Sequence, residues 1–443
     1  MEKTRDSFST RAGFVLACIG SAVGMGNIWR FPNLVSTYGG LTFLLPYFLF
    51  VILIANTGIM EEFALGRAAG TGPVGAFGWA TKQRGNEKAG HAIGFIPVLG
   101  SLALAIGYTV VMGWIIKYTF MSYSGALTAM GQNMDVIGGT FGVTADSWGA
   151  NIPIVAAVLI SFIIMSFGIS KGIEKANKIM MPILFTLFII LGIYIAFLPG
   201  AADGYKYILT LDISGLADPK VWIYAFGQAF FSLSVAGNGS VIYGSYLSKS
   251  ESIPTSARNV AFFDTLAALL AAFVIIPAMA TTGEKLSNGG PGLMFIYLVN
   301  VFNGMGSGAR IIAILFFTLV FFAGTSSIIN LYEAPVEFLQ EHLKLSRVPA
   351  TAIILAIGCG IALCIQHITS QWMDVVSIYV CPLGALLAGI MFFWVIKKET
   401  ALEQINMGSK KKLGDTFYFL GKYVYIICAL VALIAGAILG GIG

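Results

Sequence analysis

One stretch limits what this chain can fold into more than any other: Gly20-Ser21-Ala22-Val23-Gly24-Met25-Gly26-Asn27-Ile28-Trp29-Arg30-Phe31-Pro32. It lies in the middle of the first long apolar segment. A helix that crosses a bilayer needs about 20 apolar residues, and glycines, an asparagine, an arginine and a proline at its centre break it. Backbone groups released at that depth each cost several kcal/mol in hydrocarbon, so a break persists there only where it lines a cavity or an ion. Freed carbonyls suit a small cation, and the N-terminus of a half-helix beginning near Met25 and Gly26 suits a carboxylate. Asn27 adds a neutral oxygen at the same level. The stretch therefore reads as a cation and carboxylate site buried mid-membrane. Close helix packing by small residues accounts for the glycines but not for Asn27, Arg30 and Pro32 beside them.

The rest of the chain supports a membrane setting. Of its 443 residues, 57% are hydrophobic and only 11% charged, which excludes a soluble globular protein. The charged segment 1–11 has no small-residue cleavage site after it, so the first span is expected to remain as a signal anchor. Cys18, Cys359, Cys364, Cys381 and Cys428 fall in apolar segments and read as small hydrophobes. His91, His342 and His367 are scattered and suggest no metal site. The net charge of +5 reflects topology rather than nucleic-acid binding.

Hydropathy divides the chain into eleven expected spans: 12–37, 41–66, 92–122, 150–170, 176–199, 220–247, 256–282, 308–340, 349–368, 373–397 and 415–441. Lys3, Arg5, Arg11, Arg67, Lys82, Arg84, Lys88, Lys171, Lys175, Lys178, Lys249, Arg258, Lys344, Arg347, Lys397, Lys398 and Lys410 to Lys412 all fall on one side. By the positive-inside rule that side, with the N-terminus, is cytoplasmic and the C-terminus is outside. The stretch 283–308 is expected to be a long outer loop that caps a pathway, and 66–90 its inner counterpart, a solvated loop.

The sixth span repeats the interruption of the first: Gln228-Ala229-Phe230-Phe231-Ser232-Leu233-Ser234-Val235-Ala236-Gly237-Asn238-Gly239-Ser240. Spans one and six open two five-span halves of opposite orientation, about 12–199 and 220–397, with 415–441 as an additional span. Two interrupted helices at corresponding positions of inverted halves point to a secondary-transporter binding site. Tyr108 offers a phenol for a carboxylate, and Thr325-Ser326-Ser327 is a hydroxyl run in span eight, where back-bonding to its own helix is the competing reading. Asp264, ionisable and inside span seven, is by default functional.

With these motifs the chain resembles a bacterial member of the neurotransmitter:sodium symporter family, of LeuT-type fold in an eleven-span variant. The match is carried by Ala22 to Pro32 and by Gly-Gln-Ala-Phe-Phe-Ser-Leu-Ser in span six. The resemblance implies a 5+5 inverted repeat in an all-α, multi-pass protein of the cytoplasmic membrane, serving as one transporter domain. It implies two sodium ions. The first would be held by Ala22, Asn27, Ser232 and Asp264 with the substrate carboxylate, the second by Gly20, Val23, Ala323, Ser326 and Ser327. An amino-acid substrate would meet Ala22, Met25, Gly26, Tyr108, Phe231, Ser232, Ser234 and Ser327. Leu104, Phe231, Gly237, Asn238 and Leu331 would line its side-chain pocket. Arg30 and Asp374 would form an outer gate, and Arg5, Glu341 and Tyr246 an inner one.

The chain departs from the family's common pattern in three respects. Asp264 replaces an asparagine and supplies a fixed negative charge, and Ala268 replaces a serine of the chloride site, so chloride independence is expected. Gly24 stands where monoamine carriers have an aspartate, so the ligand must bring its own carboxylate. Gly237 replaces a bulky residue and favours a larger, hydrophobic or aromatic side chain. The rival readings are an ion channel, a ligand sensor of the same fold, and a symporter of another zwitterionic or amine solute. No nucleophile and base pair sits in the spans, so enzymatic activity is not expected.

Overall fold

Apolar segments of this length become helices because each backbone group must find its partner inside the segment. The computed structural model describes residues 8–235, 239–281, 283 and 291–441, and among these it contains helices and no strand. Helix α1 (Arg11–Ala22) starts on Thr10, whose hydroxyl accepts from the Gly13 N–H at 3.0 Å, and ends where Val23 turns extended. Helix α2 (Gly26–Tyr38) opens in a wide π turn over Gly26–Arg30 and takes Pro32 in the first turn that follows, where a missing N–H costs nothing. The two axes differ by 56°. The expected break is therefore present.

Then follow α3 (Gly40–Ala69), α4 (Pro73–Lys82), α5 (Glu87–Ser124), α6 (Met134–Ala145), α7 (Asn151–Ser166), α8 (Ile169–Ala196), α9 (Pro219–Ser232), α10 (Gly239–Ser245), α11 (Ile253–Ala280), α12 (Leu293–Asn303), α13 (Gly306–His342), α14 (Arg347–Cys364), α15 (Gln366–Val395) and α16 (Asp415–Leu439). Among the described residues eight helices are long and apolar enough to cross a membrane, or nine with α1 and α2 as one bent span. Of the eleven expected spans, the fourth is the 16-residue α7, and the sixth is divided into α9 and α10. Ile152, Ile193 and Ile438 are among the large apolar side chains that face outward, as a lipid-facing surface requires.

Two expected loops are corrected. The stretch 66–90 contains α4, whose Val74, Ala76, Phe77 and Ala80 are buried, so it is a packed helix and not a solvated loop. Within 283–308, α12 is also buried: the Phe295 ring packs 4.9 Å from Tyr118 and 5.1 Å from Phe141. The long helices α5 and α13 are pinned side by side by Ser101 Oγ donating to the Leu331 carbonyl at 2.7 Å and by Thr109 and Tyr332 hydroxyls 2.9 Å apart.

Candidate functional site

The two interruptions are tied to each other. Ser234, just past the end of α9, adopts the left-handed region at φ 57° and donates its hydroxyl to the Ser21 carbonyl at 2.9 Å. A non-glycine residue in that conformation persists only where its surroundings over-determine it. Around this tie lies a small chamber of about 40 Å³. Of the residues named for substrate, Ala22, Gly26, Leu104, Tyr108, Phe231, Ser232, Ser234, Ser327 and Leu331 all line it. Met25 lines the larger chamber above. Gly237 and Asn238 lie outside the described residues.

At one end of the chamber Asn27, Ser232 and Asp264 meet, all buried. Asn27 Nδ2 donates to Asp264 Oδ1 at 2.8 Å and Ser232 Oγ donates to Asp264 Oδ2 at 2.7 Å. Asn27 Oδ1 accepts from the Gly24 N–H at 3.2 Å. Among the described residues no Lys or Arg pairs with Asp264. A carboxylate buried among neutral partners calls for a positive counter-charge, and hydroxyl, amide and carboxylate oxygens suit a hard cation. Admitting one requires Asn27 to turn its oxygen, in place of its nitrogen, toward Asp264.

The second expected set also converges. Ser326 Oγ donates to the Ala323 carbonyl at 2.9 Å, whereas the Ser327 hydroxyl is buried without a partner. A Cβ built at Gly24 would lie 2.7 Å from Ser327 Oγ, and one at Gly20 would lie 3.2 Å from Ser326 Cβ. Both glycines thus admit α13 against the break in the first span. Asn177 was missed by the sequence reading. Its buried Oδ1 has no partner and faces Gly20, but an asparagine near the mouth of a span gives no local signal of that placement. Tyr47, whose hydroxyl lies beside Thr265 and Ser232, and Gln228, whose Nε2 is 3.5 Å from the Gly26 carbonyl, were missed for the same reason.

Above the small chamber lies one of about 270 Å³ lined by Trp29, Arg30, Tyr108, Phe231, Met373 and Asp374, among others. Arg30 sits 4.5 Å from the centre of the Phe231 ring. No ion pair joins it to Asp374, so the two expected gate residues face the same space unpaired. On the opposite side the chain is closely bonded. Tyr246 donates to Glu333 Oε1 at 2.9 Å, and Arg347 grips both Glu333 oxygens at 2.6 Å. Glu341 accepts from Thr71 at 2.7 Å. Arg5 lies outside the described residues. Glu333 and Arg347 were not foreseen as part of this closure, although a carboxylate inside an apolar span was a usable signal.

The sequence model described as the sodium:neurotransmitter symporter family matches residues 5–136 and 142–439. The chain belongs to that family. A sodium-dependent transporter of Methanocaldococcus jannaschii is 31% identical over 98% of this chain and 91% of its own length. The sodium-dependent transporter YhdH of Bacillus subtilis is 30% identical over 96% of each. The crystal structure of MhsT in complex with L-phenylalanine superposes with a TM-score of 0.85 at 31% identity, covering 98% of this chain and all of that one. The symporter is thus an all-helical, multi-pass membrane protein of LeuT-type fold that uses sodium, and its family is one of secondary transporters and not of enzymes.

Proposed function

We propose that this symporter carries an amino acid into the cell with two sodium ions, by alternating access of one chamber. The observation that bears most weight is the pair of tied interruptions enclosing a chamber whose lining residues Asn27 and Ser232 both hydrogen-bond the buried carboxylate of Asp264. One sodium takes the Asn27, Ser232 and Asp264 set with the Ala22 carbonyl and the substrate carboxylate. The other takes the Gly20, Val23 and Ala323 carbonyls with Ser326 and Ser327. An ion shared with the substrate makes the two bindings mutually reinforcing.

The substrate carboxylate lies against the amides of Met25 and Gly26 and the Tyr108 hydroxyl, where the start of α2 favours negative charge. Its ammonium faces the carbonyls of Ala22, Phe231 and Ser232 and the Ser234 hydroxyl. Because a side chain at Gly24 would meet Ser327, the protein has no room there for a carboxylate of its own, and the ligand brings one. The side chain is hydrophobic or aromatic, between Leu104, Phe231, Gly237 and Leu331. That MhsT was crystallised with L-phenylalanine supports this class. The halves 12–199 and 220–397 are inverted repeats, with the N-terminus cytoplasmic and the C-terminus outside.

Sodium-dependent binding of each of the twenty amino acids to purified protein, by competition against a labelled mixture, tests the proposal. Hydrophobic and aromatic members should compete and only in sodium. Competition solely by small or acidic members refutes the pocket assignment, and binding that ignores sodium refutes the symport.

A further inference from the structure

Outside the chamber, α3 carries two adjacent carboxylates, Glu61 and Glu62, both wholly buried. Ser240 of α10 lies beside Glu62, and none of the four oxygens of Glu61 and Glu62 has a hydrogen-bond partner; what sets Glu61 apart is the side of α3 it occupies. Glu61 faces α15 and α16: a Cβ built at Gly389 would lie 3.6 Å from Glu61 Oε1 and 3.0 Å from the Tyr425 ring. The Tyr425 hydroxyl is likewise buried and without a partner. It lies 3.0 Å from where a Cβ at Gly58 would stand, one turn before Glu61 on the same face of α3.

The titratable groups around this point are few. Glu62 shares the helix and α16 brings Tyr425. Arg67, farther along α3, donates to the Glu251 carbonyl at 2.8 Å, Lys82 of α4 pairs with Glu87 at 3.2 Å, and Arg258 of α11 bonds Asn56 at 2.9 Å. Asp264 of α11 is held by Asn27 and Ser232. No cation reaches Glu61 among the described residues, and an unpaired charge at this depth is disfavoured strongly enough that a carboxyl neutralises instead.

We propose that Glu61 is a proton-binding site of the transport cycle. Its position gives the proton a way in and out. A Cβ at Gly66 would collide with the Val241 carbonyl, and one at Gly244 with the Phe63 backbone, so α3 and α10 are in direct backbone contact and are treated in this proposal as one unit. Gly389 and Tyr425 belong to α15 and α16. Glu61 therefore lies on the seam between the unit that carries the inner half of the second broken helix and the helices beside it. On the transport reading given above, that half-helix moves once per cycle. The proton passes from Glu61 to water when the seam opens and returns from water, with Tyr425 as the waiting hydrogen-bond partner, before it closes.

Infrared spectroscopy of the protein in lipid vesicles reads the C=O stretch of a protonated carboxylic acid directly and needs no substrate. At neutral pH a component of that band should vanish in Glu61→Gln and persist in Glu62→Gln; an unchanged band in Glu61→Gln overturns the assignment. Sodium-driven uptake of a labelled amino-acid mixture into proteoliposomes is then followed against pH. Wild type should slow toward alkaline pH severalfold more than Glu61→Gln, which is shaped like the protonated acid and has no proton to refill. Asp264 is present in both proteins, so its titration cancels from the comparison. Equal slowing in both overturns the coupling. Failure of the transport reading would instead appear as no uptake by wild type, with the infrared result untouched.

Discussion

Asp264 is the residue on which the proposed sodium site turns. Its two oxygens take Asn27 and Ser232 at 2.8 and 2.7 Å, and neither partner neutralises it. Asp264→Ala should abolish sodium-stimulated ligand binding at equilibrium, and undiminished sodium dependence would remove this residue from the ion's ligands. Because the charge is built in, replacing chloride by gluconate should leave uptake unchanged; a collapse in gluconate would mean that an anion supplies it after all. Tyr108 lines both chambers. Tyr108→Phe deletes one hydrogen bond to a charged group, about 1.5 to 3 kcal/mol, and should weaken substrate affinity by roughly 10- to 150-fold at about 1.4 kcal/mol per decade, measured by saturation binding. Asp264 was legible in the sequence because a lone acid in an apolar run stands out. Glu61 and Glu333 carry the same signal, but each lies within reach of a span end, where an acidic side chain commonly extends to water, and only the packing of α14 and α16 over them reveals full burial.

Helices report a similar division between local and distant causes. Both breaks were readable because glycine, proline and small polar residues act within a turn or two of where they stand, and the ends of most helices followed within a few residues for the same reason. Helix α4 was not readable: Pro73-Val-Gly-Ala-Phe-Gly-Trp-Ala is too short for a span and too rich in glycine for a confident amphipathic pattern, and it is helical because α5 covers its apolar side. Helix α12 needed Trp114, Tyr118, Phe141 and Phe317 from three other elements before its own apolar residues had a place to go. The inner closure is likewise an assembly of elements. Glu333 of α13 accepts from Arg347 of α14 and from Tyr246 just past α10. Glu333→Ala strands a largely buried guanidinium and should cost about 3 to 5 kcal/mol, visible as a lowered unfolding temperature in detergent. If the fold tolerates this loss, access from the Glu333 side should rise, which a cysteine-labelling reagent applied from each side in turn would detect; no change in stability or labelling would dismiss Glu333 as a closing element.

Taken whole, the molecule is asymmetric about its chamber. One side carries a tight net of ion pairs and hydrogen bonds, and the other a 270 Å³ vestibule in which Arg30 and Asp374 stand apart. On the alternating-access reading proposed above, this is the arrangement of a carrier open toward one compartment, and the two sides must exchange these roles to complete a cycle. The Phe231 ring, with Arg30 laid over it, borders both compartments and so serves as the threshold between them. A cation fixed at a threshold sorts arrivals by sign before any of them is recognised by shape. On the amino-acid reading proposed above, its counterpart in that sorting is Asp374, which lines the same vestibule: the guanidinium would meet a carboxylate and the acid an ammonium, so a zwitterion would find an opposite charge for each of its ends at the doorway.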